Sequence, residues 1–157
     1  MSDNSKTISA IAMVLALTLV EPAEGLRQKA YKDPVGITTI CYGHTGSDIS
    51  TNKIYTLEEC KKLLTKDMGD AISIVNSCKS GLPDNVLAAF SDAVYNIGPT
   101  IACDIKHSTA ARKLSIGDFI GACNELPKWD KARVAGIMVP LPGLTIRRKR
   151  EQEVCLS

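Results

Sequence analysis

Aromatic residues, histidine and excess charge of either sign are all scarce in this 157-residue chain. Aromatic residues make up 4% of the sequence, and His44 and His107 are its two histidines. The formal net charge is +2, which gives no electrostatic reason to expect nucleic acid as a partner. Neither histidine has a regular metal-ligand spacing, and the cysteines form no CxxC pair. We therefore expect no metal site and no cofactor.

A hydrophobic run long enough to cross a membrane is also missing. Residues 7–20, TISAIAMVLALTLV, form an uncharged and mostly apolar stretch of fourteen residues. As a helix it would reach about 21 Å, short of the roughly 30 Å hydrocarbon core of a bilayer. Three interpretations stay open: the buried first helix of a domain, a weak membrane anchor, or a signal peptide cleaved near Ala23. Because proline breaks helices, we predict that this helix stops near Val20 and that Pro22 starts a separate turn.

Six cysteines are many for a chain of this length. They favour an oxidising compartment and disulfide bonds, although six cysteines allow fifteen pairings. Closing each cysteine on its nearest neighbour along the chain predicts three pairs: Cys41 with Cys60, Cys78 with Cys103, and Cys123 with Cys155. With 45% apolar residues, the chain can fill the core of one domain or of two small lobes.

A long helix is predicted after residue 56. Thr56 and Glu59 form a capping-box pattern, and the residues that follow recur at the spacing of one buried stripe. The stripe comprises Leu63, Leu64, Met68, Ala71, Ile72 and Val75, and Lys61, Lys62 and Lys66 fall on the opposite, solvated face. Shorter helices are predicted over 84–98, 108–114, 121–126 and 144–155. Following one β-rich segment, they indicate an α+β fold that is mostly α.

The β-rich segment carries the residues that suggest chemistry. Glu24 precedes Gly25, a residue common just past a helix end, and Asp33 lies in the turn-like sequence Lys-Asp-Pro-Val-Gly. Thr39 falls on a short strand of β-branched residues. Two carboxyl groups on different backbone elements suit hydrolysis of an acetal, since one must be protonated while the other stays charged. Taken alone, a Glu, an Asp and a Thr within sixteen residues are more typical of solvated side chains and caps than of a catalytic site.

The complete string over residues 24–46, EGLRQKAYKDPVGITTICYGHTG, resembles the phage lysozymes. Their active-site pattern is Glu, eight residues, Asp or Cys, five residues, Thr, within a frame similar to EGLRxKAYxDxxGxxTIGYGHT. Glu24, Asp33 and Thr39 occupy the three pattern positions, and Cys41 replaces a glycine of the frame. The neighbouring acid Glu21 does not fit the spacing.

The resemblance implies a lysozyme-like fold in which a long helix joins a small β-sheet lobe to a helical lobe. It also implies hydrolysis of the β-1,4 bond between N-acetylmuramic acid and N-acetylglucosamine in bacterial peptidoglycan, followed by lysis of the host cell. In this role Glu24 donates a proton to the glycosidic oxygen, while Asp33 and Thr39 hold the attacking water. An alternative route forms a covalent intermediate on Asp33. We expect a monomer.

Further residues take roles from the same resemblance. Asn96 and Trp129 match positions that line the substrate cleft in the helical lobe, although a plain core tryptophan is an equal alternative for Trp129. His44 and Asp67 match a structural ion pair. The basic run at residues 147–150 is interpreted as the solvated side of a helix, which can also attract an anionic polymer.

Location follows from the resemblance to endolysins of the signal-arrest-release type. It implies export to the host periplasm, with residues 7–20 associating transiently with the inner membrane before release. We accordingly divide the chain into an apolar segment, 1–23, and a catalytic domain, 24–157. Two other function classes stay open: a non-catalytic peptidoglycan-binding module, and a membrane-active lytic protein that uses its apolar start and basic tail.

Overall fold

A computed structural model of the protein describes residues 8–157, so the predicted apolar segment is described from Ile8 onward and Thr7 lies outside the described residues. The described chain is mostly helical, with two small antiparallel sheets. Its elements in order are α1 (Ala10–Glu24), β1 (Arg27–Lys32), β2 (Thr38–Cys41), β3 (His44–Thr45), α2 (Leu57–Cys78), α3 (Asp84–Ile97), α4 (Thr100–Cys103), α5 (Thr109–Ser115), α6 (Phe119–Glu125), a 3-10 helix (Leu126–Trp129), β4 (Lys131–Val134), β5 (Ile137–Pro140) and α7 (Pro142–Leu156).

The first sheet forms the smaller lobe. Strand β2 lies in its middle, between β1 and β3, and both pairings are antiparallel. Thr39 is opposite Tyr31 on one side and Thr45 on the other, so it occupies the centre of the sheet. The predicted α+β class, with one small sheet lobe and a helical lobe, is confirmed.

Helix α2 joins the sheet lobe to the helical lobe. Both hydrogen bonds of the predicted capping box are present, from the Glu59 backbone N–H to the Thr56 hydroxyl and from the Thr56 N–H to the Glu59 carboxylate. With 22 residues the helix is about 33 Å long. The predicted stripe is buried except for Leu63, which is half-buried, and the three predicted lysines are exposed.

Helix α3 is the centre of the helical lobe. Its residues from Val86 to Val94 are all buried, and it packs against α1, α2 and α7. A helix that is apolar on all sides is typically buried in a core. Each large apolar side chain that it buries stabilises the fold by about 1.5–3 kcal/mol. Because α1 and α7 pack on the same central helix, the first and last described helices meet beside it.

The prediction that the first helix stops near Val20 is wrong. Helix α1 continues through Pro22 and ends at Glu24. Proline removes one backbone hydrogen bond, but only two residues of helix follow it, and Leu19 and Val20 are already buried in the core. Packing therefore carries the helix past the proline. Among the residues that the structure describes, no helix has the length and apolar character needed to span a membrane.

A second hairpin, β4–β5, was not predicted from the sequence. Its strands have only four residues each and are mostly exposed, and the second, Ile137–Pro140, contains no polar residue that could form an alternating pattern. The two turn residues, Ala135 and Gly136, have φ of 50° and 81°, as a tight two-residue hairpin turn requires. Asn-Gly is the usual sequence of such a turn, and alanine in the first position concealed it.

The three predicted disulfides are confirmed. Cys41–Cys60 connects the central strand of the sheet to α2, Cys78–Cys103 connects the end of α2 to α4, and Cys123–Cys155 connects α6 to α7. The first disulfide therefore links the sheet lobe to α2, and the other two link helices to one another.

Candidate active site

Glu24 ends helix α1 and lies at the junction of the two lobes. The next residue, Gly25, has φ of 69°, which turns the chain sharply from the helix into the sheet. One carboxyl oxygen, Oε1, accepts a hydrogen bond of 2.6 Å from Nη1 of Arg147. The other oxygen, Oε2, faces Gly43, where an added Cβ atom would lie only 3.2 Å away. The carboxyl group is thus held through one oxygen and presents the other.

Arg147 itself is held by Asp92. Its Nε and Nη2 atoms donate to the two carboxylate oxygens of Asp92 at 3.0 and 2.8 Å. The pKa of Arg147 is raised, because hydrogen bonds and attraction to Asp92 and Glu24 outweigh the effect of burial. The guanidinium group therefore stays charged, and its paired contact with Asp92 fixes the donor that reaches Glu24.

The interpretation of residues 147–150 as a solvated basic face is wrong for two of its members. Arg147 is 5% exposed and Arg148 is fully buried, whereas Lys149 and Arg150 are exposed as predicted. Carboxyl groups of α1, α3 and α7 compensate the two buried arginines. Burial of these arginines requires partners from distant parts of the chain, which a local pattern of basic residues cannot reveal.

Two cavities lie near Glu24. The first has a volume of about 540 Å³ and is lined by Pro22, Ala23, Glu24, Asn96, Leu141, Gly143, Leu144, Ile146, Arg147 and Arg150. The second, of about 250 Å³, has walls that include Gly43, Asp67 and Tyr95. Glu24 lines the first cavity, and Gly43, which its Oε2 atom faces, lines the second. We call this pair of cavities the Glu24 groove.

Asp33 lies on the turn between β1 and β2. Its Oδ1 accepts hydrogen bonds from the backbone N–H groups of Val35 and Ile37, at 3.0 and 2.8 Å. Gly36 closes the turn with φ of 86°, a conformation that favours glycine. One carboxylate oxygen thus stabilises the turn, which leaves Oδ2 for another ligand.

Thr39 is 4% exposed and lies on the central strand. Its hydroxyl donates to the Ile37 carbonyl at 3.0 Å, so its oxygen remains an acceptor. The neighbouring Thr38 side chain accepts a hydrogen bond from Lys32 on the more exposed face of the sheet, since successive side chains of a strand point to opposite faces.

The two predicted substrate-binding residues differ in position. Asn96 lines the Glu24 groove, and its side-chain oxygen accepts from Arg148 at 2.8 Å. Trp129 is half-buried, ends the 3-10 helix and packs against the hydrophobic core. The structure thus brings Asn96 to Glu24, and substrate contact by either residue stays a prediction.

The predicted pair of His44 and Asp67 is confirmed, with Nδ1 of His44 lying 2.6 Å from the Asp67 carboxylate. Asp48, which was not predicted as a partner, lies 3.0 Å from the other ring nitrogen. Burial opposes the charged imidazolium, but the hydrogen bonds to the two carboxylates outweigh it and raise the pKa of His44. Within residues 8–157, no group of three His, Cys, Asp or Glu side chains is arranged to hold a metal ion.

Arg147, Asp92 and Gly43 were not predicted from the sequence as parts of this site. Asp92 lies in a mostly apolar stretch of α3. An isolated acid in a helix that is otherwise buried needs a basic partner, and this signal could have pointed to Asp92. Gly43 was inside the matched string but was assigned no role.

Comparison with known proteins agrees with this geometry. A family model described as Phage lysozyme matches residues 21–151. A SAR-endolysin of Bacteriophage PS119 is 40% identical over 156 residues, covering 95% of this chain and 89% of the relative. A SAR-endolysin of Enterobacteria phage P21 is 40% identical and covers 85% of this chain and 77% of its own length.

Among solved structures, the active form of the P1 phage endolysin Lyz superimposes with a TM-score of 0.77. It has 26% sequence identity and covers 95% of this chain and 94% of its own. The family model and the relatives cover most of this chain, and the match includes Glu24. This protein therefore belongs to the phage lysozyme family.

Proposed function

We propose that the protein is an endolysin that cleaves the β-1,4 bond between N-acetylmuramic acid and N-acetylglucosamine in peptidoglycan and thereby lyses the host cell. Membership of the phage lysozyme family supplies the class of enzyme, a cell-wall hydrolase. One observation carries the assignment to this site: Glu24, anchored by Arg147 through Oε1, lines a cavity of about 540 Å³ and turns its Oε2 atom toward Gly43, which lines a second cavity. A substrate that continues beyond the bond being cut needs such space near the proton donor.

Glu24 acts as the general acid in this proposal. Its Oε2 donates a proton to the glycosidic oxygen, which allows the sugar to leave as an alcohol. The carboxylate that remains keeps its hydrogen bond to Arg147 through Oε1. Since Arg147 is oriented before the reaction, it stabilises the developing negative charge without rearranging.

Asp33 and Thr39 supply the other half of the chemistry. The Oδ2 atom of Asp33 and the hydroxyl oxygen of Thr39 hold and activate a water that attacks the anomeric carbon from the face opposite Glu24. This route inverts the anomeric configuration and places the two carboxyl groups roughly 6.5–9.5 Å apart. A covalent route through Asp33 would retain it, and NMR of the freshly released sugar distinguishes the two.

Export and transient membrane association belong to the same proposal. The relatives are named SAR-endolysins, and three disulfides suit the periplasm. Helix α1 has an exposed apolar face, with Ile11 63% and Val14 61% exposed, and a buried face that here packs in the core. Because Glu24 is the last residue of α1, withdrawing the helix to a membrane would separate it from Arg147. Fractionation during expression tests this, and a cytosolic protein with free thiols would contradict it.

Digestion of purified peptidoglycan tests the reaction. After borohydride reduction, the new reducing ends should be N-acetylmuramic acid. Size-exclusion chromatography of the protein itself should show a monomer. New N-acetylglucosamine ends or released peptides would refute the assigned bond. Binding without any cleavage would favour a peptidoglycan-binding module. Killing of cells by a protein that leaves purified peptidoglycan intact would favour a membrane-active lytic protein.

A further inference from the structure

The β4–β5 hairpin exposes an apolar surface that the proposed reaction does not use. Its register places Ala132 opposite Val139 near the base and Val134 opposite Ile137 at the tip. Directly opposed residues, and every second residue along a strand, point to the same side of a sheet, so these four side chains form one apolar face. Ala132 and Val139 are half-buried, whereas Val134 is 50% and Ile137 66% exposed. The apolar face is therefore covered at its base and open to solvent at its tip.

The other face of the hairpin is basic. It carries Lys131 and Arg133, both exposed. Arg133 donates from Nη1 to the Gly136 carbonyl at 3.0 Å, but within the described part of the chain neither cation belongs to an ion pair. No acidic residue occurs in residues 131–143, and the preceding Asp130 already accepts from a threonine hydroxyl of α7. The hairpin thus combines exposed apolar side chains with uncompensated positive charge.

Three kinds of partner can cover a surface of this kind, and charge distinguishes them. A second copy of the chain would bring the same unpaired cations together, and these repel one another. A polar glycan strand would gain little from burying the apolar tip. A bilayer with anionic lipids suits both faces, because apolar side chains enter the acyl region while lysine and arginine reach the headgroup phosphates.

We propose that the β4–β5 hairpin docks the folded protein on the surface of a bilayer that contains anionic lipids. Val134 and Ile137 enter the lipid, and Lys131 and Arg133 contact the headgroups. Leu141, which follows β5, lines the larger cavity of the Glu24 groove, so docking holds that cavity near the membrane. This contact needs neither the withdrawal of α1 nor the activity of Glu24, and it therefore goes beyond the proposed function.

Sedimentation of the full-length, disulfide-bonded protein with vesicles tests the apolar tip. The wild type should bind phosphatidylcholine vesicles with about 30% phosphatidylglycerol at least about tenfold more tightly than pure phosphatidylcholine vesicles. Combining Val134→Ser with Ile137→Ser should weaken binding to the anionic vesicles about tenfold. The matched control combines Ile116→Ser with Ile120→Ser, isoleucines that are 78% and 70% exposed outside the hairpin, and should bind like the wild type. Equal binding to both vesicles, or equal binding by the two variants, would overturn the proposal.

A second pair of variants tests the basic face. Combining Lys131→Gln with Arg133→Gln should weaken binding to the anionic vesicles about tenfold and leave binding to pure phosphatidylcholine unchanged. Combining Lys61→Gln with Lys106→Gln removes the same charge from exposed positions outside the hairpin and should have a much smaller effect. Equal losses in the two variants would attribute binding to net charge alone and overturn the proposal.

A tryptophan at the tip separates docking by the hairpin from docking by α1. Trp129 is the single tryptophan of the chain, so Trp129→Phe provides a silent background. In that background, Ile137→Trp should be quenched by vesicles whose phosphatidylcholine is brominated in the acyl chains, and Ile116→Trp should not. Vesicle binding without quenching of Ile137→Trp would overturn the proposal.

The remaining partners predict different results for the Val134→Ser and Ile137→Ser double variant. If the hairpin docks on lipid, the variant digests purified peptidoglycan at the wild-type rate and both proteins elute as monomers. Slower digestion of purified peptidoglycan by the folded variant would assign the surface to the substrate. A wild-type dimer that the variant disperses would assign it to a second copy of the chain. Either result would overturn the proposal, whereas wild-type protein without wall activity would refute the proposed function alone.

Discussion

The two sides of the proposed site are built in opposite ways. On the helical side, the half-buried Glu24 is fixed by Arg147, a buried residue 123 positions away in sequence, which is held in turn by buried Asp92. On the sheet side, Asp33 is fixed by the backbone of its own turn, with Ile37 only four positions away. Val35, at the tip of that turn, is 78% exposed.

This contrast matches the chemistry assigned to each side. A general acid needs a stable electrostatic environment, which only groups removed from water can supply. A residue that holds water needs access to solvent, and a short turn gives it. We therefore expect substitutions on the helical side to reduce stability and activity together. On the sheet side, we expect substitutions to change one of these properties without the other.

The largest effect is expected for Arg147→Met. The change leaves Asp92 buried without its partner, which destabilises a protein by about 3–5 kcal/mol. Activity should fall as well, because Glu24 loses its anchor. Arg150→Met, one turn further along α7 and exposed, is the matched control and should change stability by less than about 0.5 kcal/mol. Urea unfolding and wall digestion measure both. Similar small changes in the two variants would remove the special role of the helical side.

Cys41 gives a test on the sheet side. It replaces the glycine of the family frame and has φ of 57°, a strained conformation that glycine adopts freely. Removing its disulfide with Cys41→Ala and Cys60→Ala should cost about 2–4 kcal/mol. Combining Cys41→Gly with Cys60→Ala should recover about 1 kcal/mol of that loss. Denaturant midpoints compare the two double variants, and equal midpoints would show that the backbone there is unstrained.

Gly43 lies at the boundary between the two sides. In Gly43→Ala the new Cβ atom would press on Glu24 Oε2, so we expect activity to fall about tenfold through a small displacement of the acid. Gly117→Ala is the control, because its φ of 80° is close to the 85° of Gly43, nothing lies within 4 Å of the new atom, and it follows α5 outside the proposed site. Both variants should lose similar stability. A comparable loss of activity in Gly117→Ala would attribute the effect to backbone strain.

The smallest effect concerns His44, which links the sheet to α2 through Asp67. Because the pKa of His44 is raised in the folded protein, its contribution to stability is complete below about pH 6.5. That contribution is lost as pH rises through the higher folded pKa. His44→Gln should therefore be less stable than the wild type mainly at low pH, with the difference in Tm shrinking toward pH 8. A difference independent of pH would show that the imidazole is held neutral.

Local patterns explain what the sequence predicted well. The capping box at Thr56 and the turn at Asp33 depend on residues three or four positions apart. Each cysteine pairs with an adjacent cysteine of the sequence, 19 to 32 positions away. The missed features depend on distant contacts: Arg147 is buried only because Asp92 and Glu24 surround it, and α1 passes Pro22 because its preceding turn is packed in the core. The β4–β5 hairpin was missed for a different reason. Its turn has the sequence Ala135-Gly136, whereas Asn-Gly is the usual sequence of a turn of this type.

A comparison of two variants tests whether Glu24 is the proton donor. Glu24→Gln and Glu21→Gln change neighbouring glutamates on the same helix end by the same single group. We predict that Glu24→Gln slows the release of reducing ends from purified peptidoglycan by roughly 10²–10⁴-fold while remaining folded, and that Glu21→Gln matches the wild type. Near wild-type release by a folded Glu24→Gln protein would contradict the account.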